Sequence, residues 1–553
     1  MEVDLSKIGN IIGKRVEVSG YIGTIRYYGP LIHPSAKKDS GQKWLGIEWD
    51  DKERGKHNGT VEQTFYFDCI FHKPKGTDMK AGSLITQDKV NFGITLELAL
   101  MMKYCSKNTD NDLFAAWQKE LYVFTSNSHK KMIELIGMPK LLEAFSHTNM
   151  LEEIALQSMN ISEIDGSLNE LMAKVRNLYL DHNLLYDWSQ YFTIINSLPQ
   201  LNSLSLRDNK FKKPDLSLFE NKTEEKLINK NLKILALIGM ELNWKDIEVL
   251  SPAFKCIEEL WICRNNCSLI TSEYDPLKMN LHNFDSLKVF NVEENGIYKW
   301  TELAILSSLP NLEKIIASLN FIENIPYIEG FPKLQSIFIN GNKIENLKAI
   351  NSLNKYPNFV QLRINDNPYE QVVLHNTRFY IIGKIGKLNW LNGSSIKPKD
   401  RKDSDLAYST KCFEDFLEEE KKNPQINLEK FMEENHPRWH ELIAKYGYPL
   451  NYTKKQEAKL PSQSSDSNWI NINLVPCSKF CEYKQTVNKR ISLSYLVKNL
   501  KGMCAKIFLI DILKLKLVYL EDEKSPPIHL SEDLRQLSFY NIKHNSMIRI
   551  ENL

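Results

Sequence analysis

A chain of 553 residues has room for two to four domains, and its 42 % hydrophobic and 25 % charged content fits ordinary folded cores. Lys+Arg number 71 against 69 Asp+Glu, which argues against a nucleic-acid binder held by bulk positive charge. Met1 to Lys7 lacks the charged head and apolar core of a signal peptide, and no apolar run approaches the ~18 residues that span a bilayer. The nine cysteines are odd in number and scattered, as expected of reduced thiols in the cytosol. Cys263 and Cys267, and Cys477 and Cys481, are each four positions apart. Neither pair has a second ligand pair at zinc spacing, so no metal site and no cofactor are expected.

The first stretch, residues 1–92, is glycine-punctuated and β-like. Val16 to Val18, Tyr21 to Ile25 and Trp44 to Trp49 are predicted strands, and Pro30 to Lys43 is a predicted loop. Gly55-Lys56-His57-Asn58-Gly59 lies between Trp44, Trp49 and the Tyr66-Phe67 pair. Its glycines let a backbone come close to a ligand. Lys56 would attract a carboxylate, and His57 and Asn58 can hydrogen-bond to one. Trp44 and Phe67 could line a pocket for an aromatic ring. This pattern suits an acidic peptide end; the plain alternative is a tight turn over core aromatics. Residues 93–148 form a predicted helical connector, with Leu96, Leu100, Trp117 and Leu121 among its apolar positions.

Residues 149–395 are repetitive. Val175, Leu178, Leu180 and Asn183 set a spacing that recurs at Leu201, Ile257, Leu287, Leu312, Leu334 and Phe359. Two weaker copies begin at Leu151 and Leu232 and put Met159 and Met240 at the asparagine position. Starts about 22 to 31 residues apart lie close to the leucine-rich-repeat range. One copy cannot bury its own apolar face, but a stack can. The asparagine is expected to turn the chain and to satisfy buried backbone groups. Between the buried positions, one outward column reads Tyr179, Ser205, Ala236, Trp261, Asn291, Ile316, Phe338, Arg363. Large apolar residues in that column point to a partner surface, with Tyr179, Trp261, Ile316, Phe338 and Arg363 as its candidates; shielding by neighbouring columns is the alternative.

Leu388 to Gly393 is a predicted closing strand and turn. Residues 396–452 are a predicted helical cap, and 453–468 a linker. In residues 469–553, strands are expected at Trp469 to Leu474, Tyr483 to Val487, Lys506 to Leu509, Leu515 to Leu520 and Ser546 to Ile550. A helix is expected over Leu493 to Leu500, stopped by Gly502, and a helical turn over Leu534 to Leu537. That order is ubiquitin-like, and Ile550 to Leu553 offers no terminal Gly-Gly for conjugation. No G-x-x-x-x-G-K-[ST], H-E-x-x-H or G-x-S-x-G is present; Gly383 to Lys387 only echoes the first. His436 and His440 are read as packing, and the chain as a binding protein, not an enzyme.

Residues 5 to 90 resemble the CAP-Gly family, which reads the acidic, aromatic-ended tails of α-tubulin and some plus-end proteins. The family core is closer to GKNDG, so Lys56 and Gly59 correspond most directly. Arg26 stands where many members have an aromatic wall, and Gln63 replaces a common glycine. The order CAP-Gly, leucine-rich repeats, ubiquitin-like C-terminus resembles the tubulin-folding cofactor E family. Thr24 to Tyr27, Lys89 to Gly93, His436-Pro437-Arg438, Lys445-Tyr446-Gly447 and Leu537 to Tyr540 share in that resemblance. It implies a multidomain α+β chain: a small β-rich CAP-Gly domain, a leucine-rich-repeat solenoid and a C-terminal ubiquitin-like β-grasp domain. It also implies a cytoplasmic, cytoskeleton-associated chaperone without catalysis or cofactor of its own. Its partners would be α-tubulin, the α/β-tubulin heterodimer, tubulin cofactors B, D and C, and the proteasome through the ubiquitin-like end. Neither nucleic acid nor membrane is expected to be a partner. An alternative is a microtubule-associated adaptor that uses CAP-Gly without chaperone activity.

Overall fold

The computed structural model describes residues 11–33, 42–70, 80–104, 148–164, 168–220, 223–268, 281–372, 377–449, 452, 469–477, 485–521 and 527–552. Trp117 and Leu121 of the connector, Cys481, Tyr483 and the 453–468 linker lie outside them. The chain divides into two compact units, one up to residue 374 together with 387–395, the other 375–386 together with 396 onward.

The first unit begins with an antiparallel sheet of Arg15–Val18, Tyr21–Gly29, Trp44–Trp49 and Gly82–Thr86, in that order. Alternation puts Val16, Val18, Ile25, Leu45, Ile47 and Trp49 in one core, as expected of period-two strands. The helix Leu96–Tyr104 follows. The sheet module is tied to the repeats. Ile94 pairs in parallel with Ile161, Lys14 meets Glu163 at 3.3 Å, and Arg15 binds both oxygens of Asp50, the Nη1–Oδ1 contact at 2.7 Å. Lys210 approaches Asp50 at 3.6 Å and Glu241 at 2.6 Å. Burial alone would raise the Asp50 carboxyl, but Arg15 and Lys210 outweigh it and hold it below the ordinary range.

Each repeat contributes one three-residue parallel strand, from Glu153–Ala155 through Asn177–Tyr179, Ser203–Ser205, Ile234–Ala236, Glu259–Trp261, Val289–Asn291, Lys314–Ile316 and Ser336–Phe338 to Gln361–Arg363. Trp390–Leu391 closes the stack, with Ser394–Ser395 folded antiparallel on it. The central residue of each strand is buried to 1 % or less. The asparagines behave as a ladder. Oδ1 of Asn320 accepts from the N–H groups of Asn295 and Ile297 at 2.9 and 3.0 Å, and its Nδ2 donates to the carbonyls of Val292 and Ala317 at 3.0 and 3.1 Å. Asn183, Asn209, Asn265, Asn295, Asn342 and Asn367 bridge the same kind of groups. The residue before the ladder position is left-handed in repeat after repeat: Ser158, His182, Asp208, Gly239, Arg264, Glu294, Leu319, Gly341 and Asp366 all have φ between 53° and 65°. Met240 keeps the turn and is buried, but brings no amide of its own; its N–H, like those of Asn183 and Asn295, is met by the asparagine of the next coil, here Asn265.

In the second unit, helix Thr377–Lys384, which falls inside the 149–395 repeat span read from the sequence, packs on Pro398–Lys422. Lys384, in the echo of a phosphate loop, is buried and donates to the Asn435 carbonyl at 3.4 Å. Arg438 is buried and donates to the fully buried Asp405 at 2.8 Å and to Glu441 at 2.6 Å, while the Tyr446 hydroxyl reaches Asp405 at 3.3 Å. Two of the motifs that carried the family resemblance therefore meet at one buried carboxylate. His436 is packed against Tyr408 and Phe431, whereas the His440 side chain is 56 % exposed.

The C-terminal sheet has the order Val487–Ser492, Trp469–Pro476, Ser546–Asn552, Leu515–Leu520, Ile528–His529, with the Trp469–Pro476 and Ser546–Asn552 strands parallel. This is a ubiquitin-like β-grasp, with local corrections: the hairpin partner of Trp469–Pro476 is Val487–Ser492, later than the expected Tyr483 to Val487, and the helix begins at Val497, not Leu493. The helix spans Val497–Phe508, so Gly502 does not stop it and Lys506 to Leu509 is not a strand. Val497, Leu500, Cys504 and Phe508 all enter the core, and that burial outweighs the roughly 1 kcal/mol cost of an internal glycine. The short 3₁₀ turn lies at Leu537–Tyr540, three residues later than expected.

Removing the amide at Asn320 (Asn320→Ala) takes away the partner of the Asn295 and Ile297 N–H groups and of the Val292 carbonyl in a dry interior, while the Ala317 carbonyl keeps Asn342 Nδ2 at 2.9 Å. It should lower unfolding free energy in urea by at least about 2 kcal/mol, whereas Asn324→Ala, on an exposed side chain, should leave the midpoint unchanged.

Candidate functional site

The loop Gly55–Gly59 is built by close backbone approach. A Cβ on Gly55 would lie 1.6 Å from the Lys80 carbonyl oxygen, and one on Gly59, at φ +96°, would lie 1.8 Å from the Phe67 carbonyl oxygen. The N–H groups of Lys56 and His57 donate to the Gly82 carbonyl at 2.7 and 3.0 Å, and Gly82 N–H donates to the His57 carbonyl at 2.7 Å. Nδ1 of His57 accepts from Gly59 N–H at 3.0 Å, and Oδ1 of Asn58 accepts from Thr60 N–H at 3.2 Å. Both side chains thus hold the loop in shape. Lys56 is exposed and is the charge that the loop presents. Burial, and then the Lys56 charge, hold the His57 imidazole below its ordinary pKa. The neutral ring that results keeps Nδ1 as an acceptor.

Trp44 is half-buried on its strand, paired with Gly29 and Thr86. Phe67 corrects the reading of an open pocket wall, because it is 3 % exposed. Its ring fills the space over Gly46, within 2.5 Å of where a Cβ would stand, and meets the His57 ring edge-on at 5.9 Å. It is the floor beneath the loop. Among the described residues of the module, Ile32, at 64 %, and Phe65, at 60 %, are the most exposed large apolar side chains, followed by Ile70 at 55 %. Phe65 is not among the residues that the sequence pattern singles out. Three successive aromatics, Phe65-Tyr66-Phe67, were the available signal; Phe65 pairs with Thr60 and faces water, while Tyr66 and Phe67 are buried. Tyr66 is buried and its hydroxyl accepts from the N–H groups of Ile32 and His33 at 2.8 and 2.9 Å. Arg26 is turned to the fully buried Glu48, Nε to Oε2 at 2.7 Å. Gln63 and Glu62 both have positive φ, 64° and 45°, in the turn between Thr60–Val61 and Thr64–Phe65.

The outward column of the repeats is one physical row. Register places Tyr179, Ser205, Ala236, Trp261, Asn291, Ile316, Phe338 and Arg363 side by side. Tyr179, Trp261, Ile316 and Phe338 are half-buried, Arg363 is exposed, and Ser205 and Asn291 are buried. The Arg363 guanidinium stacks over the Phe338 ring at 4.5 Å and Lys314 stands over it at 5.5 Å. At ~4.8 Å per strand, Trp261 and Phe338 are roughly 14 Å apart. A second row, two residues earlier, adds Ile234, Val289 and the 47 % exposed Trp390; strand periodicity could have found it.

Among the described residues, no group of three or more His, Cys, Asp or Glu is placed to hold a metal, and no helix is long and apolar enough to cross a membrane. Cys263 and Cys267 are buried, and burial pushes the Cys263 thiol up to about 11.

Residues 12–90 match the CAP-Gly domain family model. Over the full length, the chain is 27 % identical to tubulin-folding cofactor E of Arabidopsis thaliana, covering 100 % of this chain and 99 % of that one. It is 28 % identical to tubulin-specific chaperone E of Homo sapiens, over 98 % of each. The chain is therefore similar along its whole length to proteins named tubulin-folding cofactor E and tubulin-specific chaperone E. A solved structure, the C-terminal ubiquitin-like domain of mouse tubulin-specific chaperone E, is 25 % identical over 16 % of this chain and 95 % of that one, with a TM-score of 0.14.

Replacing Gln63 by glycine should relieve left-handed strain and raise the stability of the module by about 0.5–1 kcal/mol, read as a higher midpoint in urea. Because the folded His57 pKa lies below the unfolded one, the unfolded state binds the proton more readily. Stability should be fully present above about pH 6.5 and fall as pH drops through the folded value; His57→Gln should flatten that part of the pH–stability curve.

Proposed function

We propose that this chain is a tubulin-folding chaperone that works by binding, not by catalysis. The observation that carries the proposal is likeness from end to end to proteins named tubulin-folding cofactor E and tubulin-specific chaperone E. A shared module would match only one segment.

In this reading the loop at Lys56, floored by Phe67, takes the acidic tail of α-tubulin, with Trp44 as a further aromatic contact. The row Tyr179, Trp261, Ile316, Phe338 and Arg363 takes the body of the same subunit. His57, Asn58 and Gly59 fix the loop that presents Lys56. The module and the repeats belong to one compact unit, held by the Asp50–Lys210 and Ile94–Ile161 contacts. Two modest sites on one support raise each other's effective concentration. The protein would work in the cytoplasm on the α/β-tubulin heterodimer, beside tubulin cofactors B, D and C, with the ubiquitin-like end meeting cofactors or the proteasome.

Purified α/β-tubulin tests this directly. Excess protein should split the heterodimer; decoration of polymer alone would instead support the adaptor. Lys56→Ala should weaken capture of tailed α-tubulin about two- to fivefold at low salt and less at high salt, with no effect on tail-less tubulin. Trp261→Ala with Phe338→Ala should weaken binding about tenfold or more at unchanged thermal midpoint. Equal loss of thermal stability would make the pair core residues.

A further inference from the structure

The β-grasp domain carries an apolar corner that the proposed tubulin contacts do not use. Its open sheet face is mainly polar: Asn471 pairs with Arg490, Asn473 with Asn488, and Arg549 lies beside Val475, with Trp469, 49 % exposed, at the start of the strand. Three exposed apolar side chains stand close together in sequence where the helix ends, Leu509 at 65 %, Ile512 at 45 % and Leu513 at 87 %. Leu509 is the C-cap of that helix in left-handed conformation, φ 53°, where glycine is the ordinary choice. A leucine there is strained and also wetted, and neither property helps the fold.

Ile512 and Leu513 form one wall of a cleft of about 510 Å³. Lys498, Lys501 and Lys516 line the same cleft against a single aspartate, Asp533, which Lys501 contacts at 2.7 Å. The lining therefore has a net charge of +2, three lysines less one aspartate. We propose that this cleft docks a short acidic peptide segment of a partner protein, seating one bulky apolar side chain against Ile512 and Leu513 while its carboxylates face Lys498 and Lys516. Charge complementarity selects the acidic partner, and the exposed leucines supply the anchor.

The test is fluorescence anisotropy of the full chain with a labelled peptide of glutamates around a Leu-Leu pair, amidated and without aromatics so that it offers the Lys56 groove no terminal carboxylate or ring. A counterpart with lysine for glutamate is the control. Saturable binding of the acidic peptide, weakened about tenfold or more by Leu513→Asp and by Lys498→Glu with Lys516→Glu, is expected. Lys56→Ala should bind it unchanged, which separates this site from the tubulin-tail reading. Leu513 is almost fully exposed, so its substitution should not move the thermal midpoint. Equal binding of both peptides, no binding, or indifference to Leu513→Asp overturns the proposal. So does a dimer in sedimentation that Leu513→Asp dissolves without any peptide binding, since the corner would then serve a second copy of the chain.

Discussion

The repeat stack rests on the primary amide of asparagine. A solenoid coil must turn sharply inside its own core, which leaves carbonyls and N–H groups where water cannot reach. A carboxamide both accepts and donates on one short stem, so it can match groups of two successive coils at once. The ladder from Asn183 to Asn367 does this. It also explains why the preceding residue tolerates a left-handed conformation in Arg264, Glu294 and Leu319: the amide network over-determines the turn, and its strain is absorbed by bonds to the neighbouring coil.

Close backbone approach plays the corresponding part in the first module. Gly55 and Gly59 bring the loop against Lys80 and Phe67, and His57 and Asn58 use ring and amide to keep it there. The loop becomes a rigid support for one exposed ammonium group. The same economy appears in the second unit, where Arg438 and Tyr446, distant in sequence from Asp405, converge on that buried carboxylate.

The repeats were legible because their signal is periodic: each leucine at its spacing faces the stack, and strand register then follows without further information. The row from Tyr179 to Arg363 was legible for the same reason. Phe67 was not, since an aromatic beside glycines has the same pattern whether it lines a pocket or floors it. Gly502 misled for a related reason. Local preference favoured a stop, while Cys504 and Phe508 had a core to enter, and burial of two side chains exceeds the penalty of one glycine.

By itself, then, the sequence determined the order of modules, the repeat spacing, the asparagine positions and the charge that the first loop presents, because each is set by local spacing or by side-chain chemistry. Tertiary structure alone decided which aromatics face water, that Arg26 serves Glu48, and that Asp50 joins the first module to the repeats through Lys210. Those outcomes depend on groups far apart along the chain, whose proximity arises only once strands pair and cores close.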